Sequence, residues 1–272
     1  MYTELTDWFN TNKSKKRKTS MKKSFLKFSS TFLLLTTIGM TGTNATNVWG
    51  AEEGTKSMVE DIQNDPLAKR TAIFQGPKGL PCTSTMLTSN FGITAAHCGD
   101  GFLEGSVGTV YPAQSGLLTP FGSMSISLFN PYNDKDIAFI YGQDSGKSKD
   151  YIHYQRDFAQ TEIKLQGFTD EELKGMIGKK VYSYGYPYNY HAHKQYRFTG
   201  EITFANSDFI KTNLPAYGGQ SGSSVFLEDN DQLVGILVKG GDDDKNAILE
   251  PITKDIARWY KGKKDILENP VQ

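Results

Sequence analysis

The most restrictive feature of the sequence is a series of short apolar runs that begins at Thr71. Clusters of Gly, Pro, Asn and Asp separate these runs at a spacing of roughly ten residues. Many short strands with turn residues between them are typical of an all-β sandwich or barrel. The predicted strands are 71–74, 83–87, 92–96, 123–129, 136–142, 179–186, 196–205, 224–228, 232–241 and 247–253.

Two segments have helical patterns. Thr169-Asp170-Glu171-Glu172 has the form of a capping box and predicts a short helix that ends near Gly178. In residues 253–266 four large apolar side chains have helical spacing, which predicts a C-terminal helix packed on the sheet. These side chains are Ile256, Trp259, Tyr260 and Ile266.

The N-terminal segment differs from the body in charge and pattern. Residues 1–50 carry a net charge of +6, and the remaining 222 residues carry −6. A positive stretch that begins at Met21 precedes an apolar stretch, 28–40, that is too short to span a bilayer stably. We interpret 1–51 as a leader with a signal peptide that starts at Met21, and we expect a secreted, extracellular protein. Residues 52–70 are interpreted as a pro-segment or an N-terminal arm.

The chain has only two cysteines, Cys82 and Cys98. Behind a signal peptide they enter an oxidising compartment, where a disulfide is the expected state. Two cysteines and scattered histidines do not supply the four ligands of a structural zinc site. No metal and no cofactor are therefore expected.

Two segments carry acid–base chemistry. His97 follows small residues at the end of an apolar strand, and an imidazole is a suitable general base near neutral pH. Asp136 opens an apolar run, where its carboxylate can accept the Nδ1 hydrogen of a histidine. Taken alone, His97 could be structural and Asp136 could be a turn residue at a strand edge. Asp134, in the preceding turn, is expected to be solvated.

A third segment, Gly218 to Gly222, surrounds Ser221 with glycines. Glycines permit a sharp turn, so the backbone N–H groups of Gly219 and Ser221 could form an oxyanion hole. Taken alone, the segment could also be a flexible polar loop. A phosphate-binding loop is disfavoured because no Lys-Ser/Thr pair follows.

Together these segments resemble those of the chymotrypsin-like serine proteases. TAAHC, DIAFI and GGQSGSSV match that family's motifs around His97, Asp136 and Ser221, in the same chain order. The spacing of Cys82 and Cys98 matches the family's disulfide at the histidine loop. The resemblance covers about residues 71–262, and it implies a serine endopeptidase that acts through an acyl-enzyme.

The resemblance also implies the architecture. It predicts two packed six-stranded antiparallel β-barrels and a C-terminal α-helix, with the catalytic residues in the cleft between the barrels. The N-terminal barrel is assigned to 71–155 and the C-terminal barrel, with the helix, to 156–272. The first would carry His97 and Asp136, and the second Ser221.

The residue before Ser221 departs from the animal enzymes of the family. They have an acid there, which pairs with a new N-terminal ammonium after activation, whereas this chain has Gln220. The sequence resembles instead the bacterial branch of glutamyl endopeptidases and exfoliative toxins. Lys69-Arg70 would suit a processing protease, so a zymogen is expected.

The substrate pocket departs from that branch as well. The two residues that hold a substrate carboxylate in glutamyl endopeptidases correspond here to the apolar Leu237 and Ala216, so cleavage after Glu is not expected. Lys239 could attract acidic side chains, and Asp242-Asp243-Asp244 could attract basic ones. An apolar or small P1 residue is favoured. The predicted substrate-binding residues are Ala216, Leu237, Val238, Lys239 and Gly240.

The expected partner is a protein or peptide substrate. The acidic body argues against nucleic acid, no stable membrane anchor is expected after signal cleavage, and the protein is expected to be a monomer. His191-Ala192-His193 is interpreted as a surface hairpin rather than a metal site. The alternative function is a non-catalytic or narrow-specificity toxin-like protein on the same scaffold.

Overall fold

The structure is a computed structural model that describes residues 53–159, 162–188, 190, 193–240 and 246–269. The predicted leader, 1–51, lies outside the described residues. None of the described helices is both long enough and apolar enough to cross a membrane.

The first barrel closes through six antiparallel strands in the order β2-β3-β4-β7-β6-β5. Its strands turn mainly apolar residues inward and form one core with Phe74, Phe91 and Phe129 fully buried. The strands are β2 (Thr71–Gln75), β3 (Cys82–Met86), β4 (Phe91–Thr94), β5 (Leu103–Pro112), β6 (Met124–Pro131) and β7 (Ala138–Tyr141).

The second barrel closes in the order β9-β10-β13-β12-β11-β8, because β8 also pairs with β9. A further strand, β1 (Thr55–Met58), pairs antiparallel with residues 196–199 of β9. The barrel has its own core, which includes Phe198 and Leu249. Its strands are β8 (Lys180–Gly185), β9 (Tyr196–Ala205), β10 (Ile210–Thr212), β11 (Ser224–Leu227), β12 (Leu233–Gly240) and β13 (Ala247–Pro251).

The interior of the first barrel is continuous with the interface between the barrels. The same apolar cluster includes Tyr182 and Phe226 from the second barrel and Ile256 from the C-terminal helix. The described helices are α1 (Lys149–Ala159), α2 (Asp170–Lys174) and α3 (Lys254–Glu268). The predicted all-β fold of two packed six-stranded barrels with a C-terminal helix is confirmed.

The helix predictions are confirmed with two corrections. α2 ends at Lys174 rather than near Gly178, because Gly175 is its C-cap and turn residues follow. Thr169 and Glu172 form the predicted capping box at the start of α2. Ile256 and Tyr260 are buried on the inner face of α3, but Ile266 is 66% exposed, so its assignment to that face was wrong. Leu267 packs against the core instead, because a period of 3.6 residues brings 256, 260 and 267 to one face.

Some elements were not predicted. β1, β5, β10 and α1 have no counterpart in the sequence-based assignment. The predicted boundary between residues 155 and 156 falls inside α1. The last strand of the first barrel ends at Tyr141, and the first strand of the second begins at Lys180.

Candidate active site

His97 and Asp136 meet at the edge of the first barrel. Asp136 Oδ2 lies 2.7 Å from His97 Nδ1, and Asp136 Oδ1 accepts the His97 backbone N–H at 2.8 Å. An ionised carboxylate can only accept hydrogen bonds, so Nδ1 carries the hydrogen and a neutral ring has its lone pair at Nε2. The pair is partly open to solvent, with 44% of the His97 side chain and 34% of the Asp136 side chain exposed.

The charge of Asp136 is stabilised by this arrangement. Burial raises the pKa of the Asp136 carboxyl, but hydrogen bonds from the His97 side chain and backbone and the His97 charge outweigh burial. The pKa therefore lies below its ordinary value, and the carboxylate stays ionised at neutral pH. Asp134, by contrast, is exposed on a turn with φ of 65°.

The second barrel also holds Asp136 in place. The backbone N–H of Asp136 donates to Glu250 Oε2, on β13, at 3.2 Å. Lys135 Nζ lies 3.2 Å from Glu250 Oε1. Burial raises the pKa of Glu250, while the Lys135 charge lowers it, and the net shift is upward. Sequence reasoning missed Glu250, although an acid within the apolar run of β13 was a signal that could have found it.

Ser221 lies at the end of a tightly bent loop in the second barrel. Gly219 and Gly222 have φ of 95° and 89°, in the left-handed region that favours glycine. A Cβ atom at Gly222 would collide with the Thr83 carbonyl and the Thr94 hydroxyl, and one at Gly219 would collide with the Tyr186 carbonyl. Only glycine fits these positions, which explains why the nucleophile motif is rich in glycine.

Almost every peptide of this loop is fixed by a hydrogen bond. The Gly218 carbonyl accepts from Tyr188 N–H at 2.8 Å, and the Gln220 carbonyl accepts from Ser223 N–H at 2.9 Å. These peptides are trans, so the N–H groups of Gly219 and Ser221 point away from the carbonyls that are bonded. Among the hydrogen bonds of the described residues, neither N–H has an acceptor. Both donors are therefore available to a ligand.

The buried side chain of Gln220 completes the loop. It is fully buried, its Oε1 accepts the Tyr217 backbone N–H and its Nε2 lies 3.5 Å from the Pro215 carbonyl. An amide can satisfy both partners without a counter-ion. The loop is thus held by its own Gln220, where the animal enzymes of the resembled family use an ion pair.

Ser221 and His97 belong to different barrels, and the sulfur of Cys98, next to His97 in sequence, lies 3.9 Å from the Ser221 carbonyl oxygen. The Ser221 carbonyl accepts a hydrogen bond from Thr83 N–H in the first barrel at 2.8 Å. No hydrogen bond joins Ser221 Oγ to His97 Nε2 within the described part of the chain. Catalytic hydrogen bonds are often long without substrate and shorten in the Michaelis complex.

Cys82 and Cys98 form the predicted disulfide, with Cα atoms 6.2 Å apart. Both half-cystines are buried, and their sulfurs lie within 4.8 Å of a ring nitrogen of His97. The bridge therefore fixes the segment that carries the imidazole to β3.

The predicted substrate-binding residues differ in their placement. Ala216 and Leu237 are buried and belong to the core of the second barrel, whereas Val238 packs against the first core. Lys239 is exposed. A Cβ atom at Gly240 would lie 3.5 Å from Ala216 Cβ, so these two residues are close neighbours with room for no more than a small group between them.

The histidine pair His191 and His193 and the acidic run 242–244 were also considered as functional features. His193 Nδ1 lies 3.2 Å from Gln114 Nε2, while His191 and Ala192 are outside the described residues. The run Asp242-Asp243-Asp244 is also outside them.

The chain matches the Trypsin family over residues 62–259. It is 27% identical over 161 residues to a glutamyl endopeptidase from Bacillus licheniformis. That match covers 55% of this chain and spans 46% of the length of the relative.

Solved structures of serine proteases share the fold. A Glu endopeptidase has a TM-score of 0.62 at 17% identity, covering 78% of this chain and 97% of its own. The protease Anisep from Arthrobacter nicotinovorans has a TM-score of 0.55 at 16% identity, covering 76% of this chain and 98% of its own. Mouse neuropsin has a TM-score of 0.56 at 17% identity, covering 75% and 96%. At these identities the likeness concerns the fold.

Proposed function

The chain belongs to the trypsin family, and from that premise we propose that it is a serine endopeptidase whose nucleophile is Ser221. His97 acts as the general base, and Asp136 orients it. The observation that carries the proposal is the pair of N–H groups, on Gly219 and Ser221, that have no acceptor within the described residues beside the serine. Two rigidly held N–H donors beside a serine hydroxyl are the arrangement that stabilises an oxyanion in acyl transfer.

The proposed reaction begins with attack of Ser221 Oγ on the carbonyl carbon of the scissile peptide. His97 Nε2 takes the hydroxyl proton, and Asp136 stabilises the resulting imidazolium through its bond to Nδ1. The carbonyl oxygen becomes an oxyanion and accepts hydrogen bonds from the N–H groups of Gly219 and Ser221. One such donor contributes about 3–4 kcal/mol to transition-state stabilisation.

Collapse of the tetrahedral intermediate breaks the C–N bond. His97 then gives its proton to the leaving amine, and the acyl group remains on Ser221 as an ester. In the second half of the reaction His97 removes a proton from water, the resulting hydroxide attacks the ester carbon, and the proton returns to Ser221 Oγ. The free acid leaves, and the enzyme is restored.

We propose a small or apolar P1 residue. The adjacent Ala216 and Gly240 are small, and the side chains of Ala216 and the buried Leu237 have no hydrogen-bond donor for a substrate carboxylate. A carboxylate that enters an apolar site without partners loses its hydration without compensation. Cleavage after Glu is accordingly disfavoured, although a relative of this chain is a glutamyl endopeptidase.

We also propose that the protein is secreted and acts on proteins or peptides outside the cell. The signal-peptide pattern in 1–51 supports export, and the Cys82–Cys98 disulfide is consistent with an oxidising compartment.

Hydrolysis of a diverse peptide library by the purified protein tests activity and P1 preference together. We expect cleavage after small or apolar residues, and we expect Ser221→Ala to reduce it to background. Ser224→Ala is the matched control, because the Ser224 hydroxyl is buried without a partner in the described structure, and this variant should retain hydrolysis. Equal hydrolysis by Ser221→Ala and the unmodified protein would refute the assignment. A well-folded protein that cleaves no peptide would favour the non-catalytic alternative.

A further inference from the structure

Resting on the proposed function, we propose that the Thr83 hydroxyl is a positioning group for the oxyanion hole, supplied by the first barrel to the loop of the second. Thr83 lies on β3 and is fully buried. Its Oγ1 donates to the Gly219 carbonyl at 2.8 Å and accepts the Tyr186 backbone N–H at 3.2 Å. Sequence reasoning gave Thr83 no role.

The position of this bond makes it more than a packing contact. The Gly219 carbonyl belongs to the peptide that lies between the two oxyanion donors. The other two carbonyls of the Gly218–Gln220 segment are bonded by backbone N–H groups, from Tyr188 and Ser223. The N–H of the central peptide, on Gln220, donates to the Tyr217 carbonyl at 3.2 Å. Thr83 therefore supplies the one side-chain donor among the four bonds that orient these peptides.

Thr83 also fixes the carbonyl of the nucleophile. Its backbone N–H donates to Ser221 O at 2.8 Å, and its own carbonyl accepts from Thr94 Oγ1 at 2.8 Å. One residue of β3 thus holds the carbonyls of Gly219 and Ser221, the two residues whose N–H groups have no acceptor among the described residues. The Gly219 carbonyl belongs to the planar peptide that connects these two N–H groups, so its orientation sets the direction of one donor relative to the other.

Loss of the Thr83 hydroxyl would leave the buried Gly219 carbonyl without a donor. An unsatisfied buried acceptor is unfavourable. Among the bonds of the described residues, the Gly219–Gln220 peptide would then be held only by its Gln220 N–H, which donates to the Tyr217 carbonyl at 3.2 Å. Rotation of the peptide relieves the unsatisfied carbonyl, and Gly219 has no side chain to oppose it. That rotation changes the direction of the Ser221 N–H relative to the Gly219 N–H. The two donors would then no longer converge on one oxyanion.

Neighbours on the same strand provide a contrast. Ser84 and Thr85 are also buried, and their hydroxyls have no hydrogen-bond partner in the described structure. Of the three consecutive buried hydroxyls on β3, the one at Thr83 both donates and accepts a hydrogen bond, to Gly219 and from Tyr186. Thr83 differs from its neighbours in this contact with the oxyanion loop.

The test compares Thr83→Val, which removes the hydroxyl but keeps the shape, with Thr83→Ser, which keeps the hydroxyl. Thr85→Val is the matched control on the same strand. We expect Thr83→Val to lower kcat by about 10-fold or more with little change in KM, below the ~10²–10³-fold cost of deleting an oxyanion donor. Thr83→Ser should remain close to the unmodified enzyme, and Thr85→Val should retain its kcat.

Binding of a peptide aldehyde, which forms a tetrahedral adduct with the serine, gives a second readout. We expect Thr83→Val to weaken aldehyde binding by the same factor as kcat, while binding of the product peptide is unchanged. Thr83→Cys has a weak donor of similar size, so its kcat should lie between those of Thr83→Val and Thr83→Ser. It replaces the valine variant in the test if that variant does not fold. Two results in an active enzyme would overturn this inference and leave the proposed function intact. In the first, Thr83→Val has the kcat of the unmodified enzyme. In the second, Thr83→Val and Thr85→Val lose activity equally. Absence of hydrolysis in the unmodified protein would overturn the proposed function as well.

Discussion

At the scale of single residues, the chemistry depends on what each oxygen of Asp136 accepts. Oδ2 lies 2.7 Å from His97 Nδ1, and Oδ1 accepts the His97 backbone N–H, so one carboxylate fixes both the ring and the main chain of His97, the proposed base. Glu250 holds the Asp136 backbone from the other barrel. The orientation of the imidazole is thus set before substrate arrives.

Asp136→Asn should therefore be severely impaired. An amide can donate to Nδ1 and so favours the wrong tautomer of His97, which leaves a hydrogen on the nitrogen that must act as base. We expect kcat to fall on the order of 10⁴-fold, measured on the best peptide from the library. Asp134→Asn, on an exposed turn, is the control and should keep its activity. A loss below about tenfold in Asp136→Asn would contradict the assigned role.

The lowered pKa of the Asp136 carboxyl predicts that the free energy of unfolding depends on pH. The pKa of this carboxyl is lowered in the folded protein, so its contribution is present above the unfolded pKa of about 3.9 and is lost as pH falls through the folded pKa. Asp136→Asn should reduce the free energy of unfolding near neutral pH, and the difference from the unmodified protein should shrink below pH ~4. Urea unfolding across this range measures it. A difference that grows towards acid would have the wrong sign.

The residues of the site were predictable to different degrees. His97, Asp136 and Ser221 stand in short motifs whose residue types have few structural reasons to occur together. Thr83 and Glu250 act through long-range hydrogen bonds that join the barrels. Such bonds depend on how the two barrels dock, which no local pattern encodes.

At the scale of secondary structure, the N-terminal arm is part of the folded body. β1 pairs with β9, Lys56 Nζ lies 3.1 Å from the centre of the Tyr190 ring, and Asp65 accepts a hydrogen bond from Tyr184. Arg70 is 5% exposed and its guanidinium donates to the carbonyl of Leu87 at 3.1 Å.

These contacts favour the arm over the pro-segment as the interpretation of 52–70. Cleavage after Arg70 would require a buried side chain and its backbone to leave the fold. We expect Edman sequencing of the secreted protein to give an N-terminus between residue 46 and β1. An N-terminus at Thr71 would show that the arm is removed instead.

Elements with strict patterns were predictable, and those with weak patterns were not. β9 buries Tyr196, Phe198 and Ile202 at even spacing, and the sequence-based assignment covered the whole strand. β5 contains Gly105 and Gly108, and its pairing with β6 shifts register there, so it lacks a continuous alternation. In α1 Tyr151 is fully buried while Ile152 is exposed, and an apolar face this narrow carries little periodic signal.

At the scale of the whole molecule, the site exists only because two barrels dock. The first contributes His97 and Asp136, the second contributes Ser221, and a continuous apolar cluster joins the barrels behind them. The resemblance to the chymotrypsin-like proteases predicted which barrel carries each residue. The depth and shape of the cleft depend on loop conformations, which explains why P1 preference is less determined by sequence than the nucleophile is.

The single disulfide belongs to this scale, since it joins Cys82 to Cys98, 16 positions apart in the sequence, and closes the segment that carries His97. Cross-linking a segment of this length stabilises the folded protein relative to the unfolded chain by about 3 kcal/mol. The double variant Cys82→Ser/Cys98→Ser should lose about that much free energy of unfolding in urea. Under denaturing, non-reducing conditions the unmodified protein should show no free thiols. Two titratable thiols, or an unchanged unfolding midpoint in the double variant, would contradict the prediction.

Labelling by a serine-directed fluorophosphonate, read by intact mass and peptide mapping, tests the central claim most directly. The reagent phosphonylates a serine only where a base activates the hydroxyl and an oxyanion hole receives the phosphoryl oxygen. We predict one adduct per molecule, located on Ser221, and no adduct in Ser221→Ala or His97→Ala. An adduct on another residue, or an unlabelled Ser221 in a correctly folded protein, would contradict the account.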